Sequence, residues 1–160
     1  RDLTGQYSKI VSIEMIEAVG HKFMSTYFEM LDQLLKPGGK SFIQAITMND
    51  QRYDNYVNNV DFIQRNIFPG GHLPSVSVMC DLLKNNTNMY MKQLSDYRID
   101  YAKTLSAWRA SFLDNREAIQ SLGFNDDFIR LWEYYFSYCE GGFRESAIGL
   151  AHIELIKNEY

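Results

Sequence analysis

A chain of 160 residues, 46% of them apolar and 22% charged, is long enough for one domain with its own core. A formal net charge of −4 with scattered basic residues excludes the basic footprint of a nucleic-acid binder and gives no strong pull towards anionic membrane. No apolar run has the length of a membrane span or a secretory core, and Cys80 and Cys139 lack metal or disulfide spacing, so a reducing, cytoplasmic setting is expected.

The chain opens on Arg1 with no initiator Met and reaches an apolar strand almost at once, as expected of a piece of a longer protein. That strand is read as Lys9–Ile13, and it runs out into Glu14 and Glu17. A helix should follow, with Phe23, Tyr27, Met30, Leu31, Leu34 and Leu35 at helical spacing. Pro37 is expected to stop it and Gly38-Gly39 to supply a tight reversal into a buried strand, Ser41–Thr47. Strand, helix, turn and strand make a βαβ unit, hence parallel pairing with a right-handed crossover.

From Met48 the periodicity breaks down, and residues about 48–87 read as a helical insertion over one face of the sheet, with a helix at Ser75–Lys84. Within it "YDNYVNNVDF" suits either a lipid-contacting lid or a plain amphipathic segment. A strand at Asn88–Ile99 follows, then helices at about Tyr101–Leu122 and Asp126–Cys139, the latter extended towards Phe143, and a strand at Ala147–Lys157. This order fits the second half of an open, doubly wound α/β sheet, where ligands bind beyond the carboxyl ends of the strands. Glu14 and Glu17 lie beyond one such end, and Gln44–Thr47 lie at the neighbouring one.

Taken alone, Glu14 reads as a solvent-facing strand end. Tyr134 and Tyr135 are consecutive on a helix, so one should face the core or site and the other should not. His21 reads as a helix start, His152 as structural and Cys139 as a small buried hydrophobe. Asp126 and Asp127 read as a cap and a complement to the helix dipole.

The blocks "KIVSIEMIEAVGH", "YFEMLDQLLKPGG", "QAITMNDQRYDNY", "DFIQRNIFPGGHLPS", "YAKTLSAWRASF" and "LWEYYFSYCEGGF" together resemble the cyclopropane-fatty-acyl-phospholipid and mycolic acid cyclopropane synthases. The resemblance runs over nearly the whole chain. It implies the C-terminal part of a Rossmann-like class I methyltransferase domain that uses S-adenosylmethionine. A cis double bond of an unsaturated phospholipid acyl chain would attack the sulfonium methyl, giving a carbocation in an apolar tunnel and then a cyclopropane. A bound bicarbonate would take the proton.

Residue by residue, the resemblance implies that Glu17 helps hold the bicarbonate, that the Ile46 backbone N–H faces it and that the Tyr135 hydroxyl completes its shell. Gln44 stands where several members carry His; an amide can donate a hydrogen bond there but cannot titrate near neutral pH. Ile13 and Glu14 would lie beside the cofactor. His72 stands where Cys is frequent, and Asp100, before Tyr101, where His is frequent.

The family's glycine-rich cofactor loop and N-terminal cysteine are not in this segment. The chain alone is therefore expected to be inactive, to bind S-adenosylmethionine weakly if at all, and to dimerise or aggregate through an unpaired sheet edge. The parent is expected in the cytoplasm, peripheral at the membrane, with no nucleic-acid partner. Two alternatives remain at this point: a methyltransferase of small molecules at nitrogen or carbon, and a noncatalytic assembly module.

Overall fold

Leu35 is where the sequence and the structure first part. In the computed structural model, which describes residues 3–159 and so leaves the opening Arg1 outside, helix α1 (Met24–Leu34) ends one residue earlier. Leu35 is already extended (φ −83°, ψ 135°) and fully buried as the first residue of β2 (Leu35–Met48). The reversal is made at this junction, and Pro37-Gly38-Gly39 form an irregularity inside the strand instead of a connecting turn. Pairing with β1 (Tyr7–Ile13) jumps there from Tyr7↔Leu35 to Lys9↔Lys40. Gly38 takes φ +70°, and a Cβ on Gly39 would come 2.7 Å from the Lys36 carbonyl oxygen, so both positions need glycine.

The sheet has four strands in the order β1-β2-β4-β3, with β3 at Met89–Asp96 and β4 at Ile148–Lys157. β1 and β2 are parallel, as the βαβ reading expects, whereas β4 runs antiparallel to both β2 and β3. β3 is shorter than the sequence suggests, because Tyr97 already leads into helix α5 (Arg98–Asp114).

Alternation along β2 divides the core in two. Ile43 and Ala45 join Phe28 and Leu31 of α1 and Met79 and Leu83 of α4 (Val76–Asn86) on one face. Ile46, on the other, packs against Ala102 and Leu105 of α5 and Phe136 and Phe143 of α7 (Asp126–Arg144). Each fully buried Phe, Leu or Ile contributes on the order of 2 kcal/mol. α4 belongs to the first core, and residues 49–75 connect β2 to it.

That segment holds α2 (Asp50–Val57) and α3 (Phe62–Asn66). Asn49 caps α2, and Asp61 with Gln64 forms a reciprocal capping box on α3. The long helix expected to reach Leu122 is broken at Asn115 (φ −99°, ψ 17°), so that α6 (Arg116–Ser121) follows α5 as a separate turn. The N-cap of α7 is Asn125, which accepts from the Phe128 N–H at 3.0 Å. Asp126, expected there, instead meets Arg116 at 2.8 Å.

Candidate active site

β1 ends at Ile13, and the next residue has a backbone that L-amino acids rarely adopt: Glu14 has φ +49°. Its N–H donates to the Gln44 carbonyl at 2.9 Å, continuing the parallel ladder by one step. Its carboxylate reaches the β2 side chain, where Gln44 Nε2 donates to Glu14 Oε1 at 2.7 Å. From the first turn of α5 the Tyr101 hydroxyl donates to Glu14 Oε2 at 2.9 Å.

The Gln44↔His152 register then extends the cluster onto β4, with His152 Nε2 2.8 Å from Gln44 Oε1. With the amide oriented this way the imidazole nitrogen must be the donor. His152 is packed between Tyr97 and Phe42, ring centroids at 4.3 Å and 5.1 Å. Four elements thus converge on one line of hydrogen bonds.

Glu17 lies in a short 3-10 turn, Ile16–Ala18, just after the strand. Its Oε1 accepts the Ile46 N–H at 2.6 Å, and its Oε2 is buried with no hydrogen-bond partner. Burial raises its carboxyl above the ordinary value, the Ile46 N–H pulls the other way, and the charge of Glu14 adds to the rise. The pair is therefore arranged to carry one charge more readily than two. Among the described residues neither carboxylate enters an ion pair. Tyr101 is held strongly protonated by burial and by Glu14, which keeps it a donor.

The Glu17 turn is also tied to the segment at residues 49–75. The His72 N–H donates to the Glu17 carbonyl at 2.8 Å. The His72 imidazole is 6% exposed, lies 2.9 Å from the Tyr53 hydroxyl, and is pushed down to about 4 by burial and by His21. His21 itself opens a 3-10 turn, as its sequence position suggests.

The structure therefore brings Glu14, Glu17, Gln44 and Ile46 together. Tyr135 stays at the margin: its half-buried ring packs on Trp132 and Phe68, at 5.3 Å and 6.1 Å. Its hydroxyl, pushed up to about 12 by burial, senses the charge of Glu14 but makes no hydrogen bond to the cluster. Tyr134 is 52% exposed and packs on Phe62 at 4.7 Å, so the two tyrosines do part company. Ile13 is 48% exposed and takes no part in the hydrogen bonds.

Neither Tyr101 nor His152 stands out as a site residue in the sequence. Tyr101 was readable in principle, as a tyrosine in the first turn of the helix after a strand. His152 depended on the β2–β4 register, which the alternating sequence does not fix. Among the described residues no group of His, Cys, Asp and Glu could hold a metal ion. Cys139, expected to be buried, is only partly so, and that burial raises its thiol to about 12.

The family model for mycolic acid cyclopropane synthetase matches residues 1–153. The chain belongs to this family. Among curated members it is 41% identical to the tuberculostearic acid methyltransferase of Mycobacterium tuberculosis, over 98% of this chain and 37% of that protein. It is 36% identical to the cyclopropane-fatty-acyl-phospholipid synthase of Escherichia coli K12, over 94% of this chain and 37% of that one. The chain thus spans little more than a third of these relatives. A mycolic acid cyclopropane synthase solved with SAH and CTAB superposes with a TM-score of 0.87 at 24% identity, over 98% of this chain and 57% of that one. The cyclopropane synthase MmaA2 from Mycobacterium tuberculosis gives 0.85 at 20% identity, over 97% and 57%. The architecture is that of a class I S-adenosylmethionine-dependent methyltransferase.

Proposed function

We propose that the protein containing this chain transfers a one-carbon unit from S-adenosylmethionine to the cis double bond of an unsaturated phospholipid acyl chain, forming a cyclopropane. The observation that carries this reading is the rim itself: two carboxylates held by neutral donors, with no ion pair to either among the described residues. Such a site suits a reaction in which positive charge arrives with one reactant and moves onto the other. Two relatives bear names of lipid-modifying enzymes, which supports the substrate class.

The cofactor supplies an electrophilic methyl group on a positively charged sulfur. The residues present fit one wall of its site. Ile13 offers a half-exposed apolar surface at the end of β1, and the Glu14 backbone would lie alongside. The chain's own groups do the rest. Tyr101 and Gln44 fix the Glu14 carboxylate, and Glu17 anchors the turn to Ile46. The rings of Tyr101, Trp132, Tyr135 and Phe136 on α5 and α7 pack into one apolar cluster, which would exclude water and offer ring faces to a positive charge.

Bicarbonate does not fit this donor set. Gln44 Nε2 and the Tyr101 hydroxyl are taken by Glu14, the Ile46 N–H is taken by Glu17, and a third anion would meet no counter-charge among the described residues. No step is assigned to it.

Val60 and Phe68, exposed in the segment at residues 49–75, together with Tyr134 give the apolar surface through which the parent would touch the membrane from the cytoplasmic side. The identity to a tuberculostearic acid methyltransferase favours one second reading, a methyl-branched acyl product from the same carbon transfer. Incubating the full-length protein with labelled S-adenosylmethionine and unsaturated phospholipid tests both. Label in a saturated ring supports the first reading and label in a branch the second. Phospholipid left unchanged while small amines are methylated overturns both.

A further inference from the structure

We propose that Glu14 itself is the proton acceptor of this site, its carboxylate standing where a bound bicarbonate was expected. The inference rests on the lipid-alkylation reading above, and it starts from which donors serve which oxygen. Gln44 and Tyr101 each give one hydrogen bond to a different Glu14 oxygen, 2.7 Å and 2.9 Å, leaving a lone pair free on both. His152 holds the Gln44 amide by its oxygen, so the NH2 end is turned to Glu14.

Glu17 is poorly suited to the same task. Its Oε1 is committed to Ile46, and its Oε2 is buried, where the proton is favoured. Of the two carboxylates, Glu14 is the one with a hydrogen-bond donor on each oxygen.

The backbone makes the same point independently. A glutamate at φ +49° costs about 1–2 kcal/mol that a glycine would not. What the side chain does is reach the two donors.

The double-bond pair forms a carbon–carbon bond to the transferred methyl while its carbon–sulfur bond breaks, the pair leaving with sulfur. The cation formed on the neighbouring chain carbon is quenched when a C–H bond of the new carbon breaks. That pair closes the ring, and the proton passes to a Glu14 oxygen. Tyr101 and Gln44 then bond to a neutral acid that returns its proton to solvent.

The test uses the full-length protein, its Glu14→Gln and Glu14→Gly variants, CO2-free buffer and added bicarbonate. Glycine relieves the backbone and opens the anion position, whereas glutamine fills it without a base. Wild-type turnover on unsaturated phospholipid should be the same with and without bicarbonate. Both variants should lose about 100-fold or more in CO2-free buffer. Bicarbonate should restore Glu14→Gly and leave Glu14→Gln unchanged. Wild-type turnover that depends on bicarbonate, or a Glu14→Gly protein fully active without it, overturns the proposal.

Binding of 13C-bicarbonate, followed by NMR, gives a readout independent of lipid chemistry. It should be absent in wild type and present in Glu14→Gly. Binding to wild type, or to neither protein, defeats the claim that the carboxylate holds the anion position. Wild-type phospholipid left unalkylated would instead defeat the functional reading, with the NMR result still deciding who occupies that position.

Discussion

Acidic groups are treated in two ways in this molecule. On the outer surface several meet cations: Asp126 with Arg116 at 2.8 Å, Glu140 with Arg144 at 2.8 Å, Glu154 with Lys92 at 3.2 Å. At the carboxyl rim of β1 and β2, Glu14 and Glu17 meet an amide, a phenol and a backbone N–H. Surface pairs are worth little because water already solvates both partners. At the rim the negative potential is kept, held by dipoles that do not cancel it. Even the imidazole next to the rim, His72, is buried in a way that keeps it uncharged. The difference separates charge used for solubility from charge reserved for a ligand.

The sharpest way to break this contrast is to loosen a neutral donor. Tyr101→Phe removes one hydrogen bond to a charged group, worth about 1.5–3 kcal/mol, so turnover of the full-length protein should fall about 10- to 100-fold. Its melting temperature should stay close to wild type. A variant with unchanged turnover would remove Tyr101 from the site.

Next comes Glu17. Ala at this position leaves the Ile46 N–H without its acceptor and should cost about 1–3 kcal/mol in denaturant unfolding, whereas Gln, which keeps an acceptor oxygen, should cost less than half as much. Equal losses for both variants would show that charge, and not the hydrogen bond, holds the turn.

His72 allows a test by pH. Its folded value of about 4 lies below its ordinary 6.5, so folding favours the neutral ring. That stability is complete above pH 6.5 and is lost as pH falls towards 4, at up to about 1.4 kcal/mol per pH unit. His72→Gln should flatten this slope in urea titrations across that window, and a slope unaffected by the substitution would place the acid sensitivity elsewhere. The smallest effect belongs to the surface. Arg116→Ala should change stability by about 0.5 kcal/mol or less, and a larger loss would mean that surface pairs carry more of the fold than their exposure implies.

How much of this the amino-acid order reveals differs between elements. The βαβ unit was readable because its apolar spacing switches from helical to strand-like around a Pro-Gly-Gly signal. The junction itself was misplaced by one residue, since Leu35 continues the helical spacing while its backbone is already extended. Glu17 and Ile46 follow from the blocks around them, and the structure does join them. Gln44 was readable as a departure from His, but not as the partner of Glu14. That contact goes with a positive φ that a glutamate does not signal, and the second donor, Tyr101, comes from α5, far from Glu14 in the sequence. His152 depends on antiparallel register, a long-range property.

The central claim is that the rim keeps its negative charge for a cationic partner. Calorimetry on the full-length protein can compare a long-chain quaternary ammonium with its neutral carbon analogue of equal shape. The wild type should bind the cation about ten-fold tighter, roughly 1.4 kcal/mol, and Glu14→Gln should lose most of that preference. Equal affinity of the wild type for the two ligands, or a preference that survives in Glu14→Gln, would contradict the account.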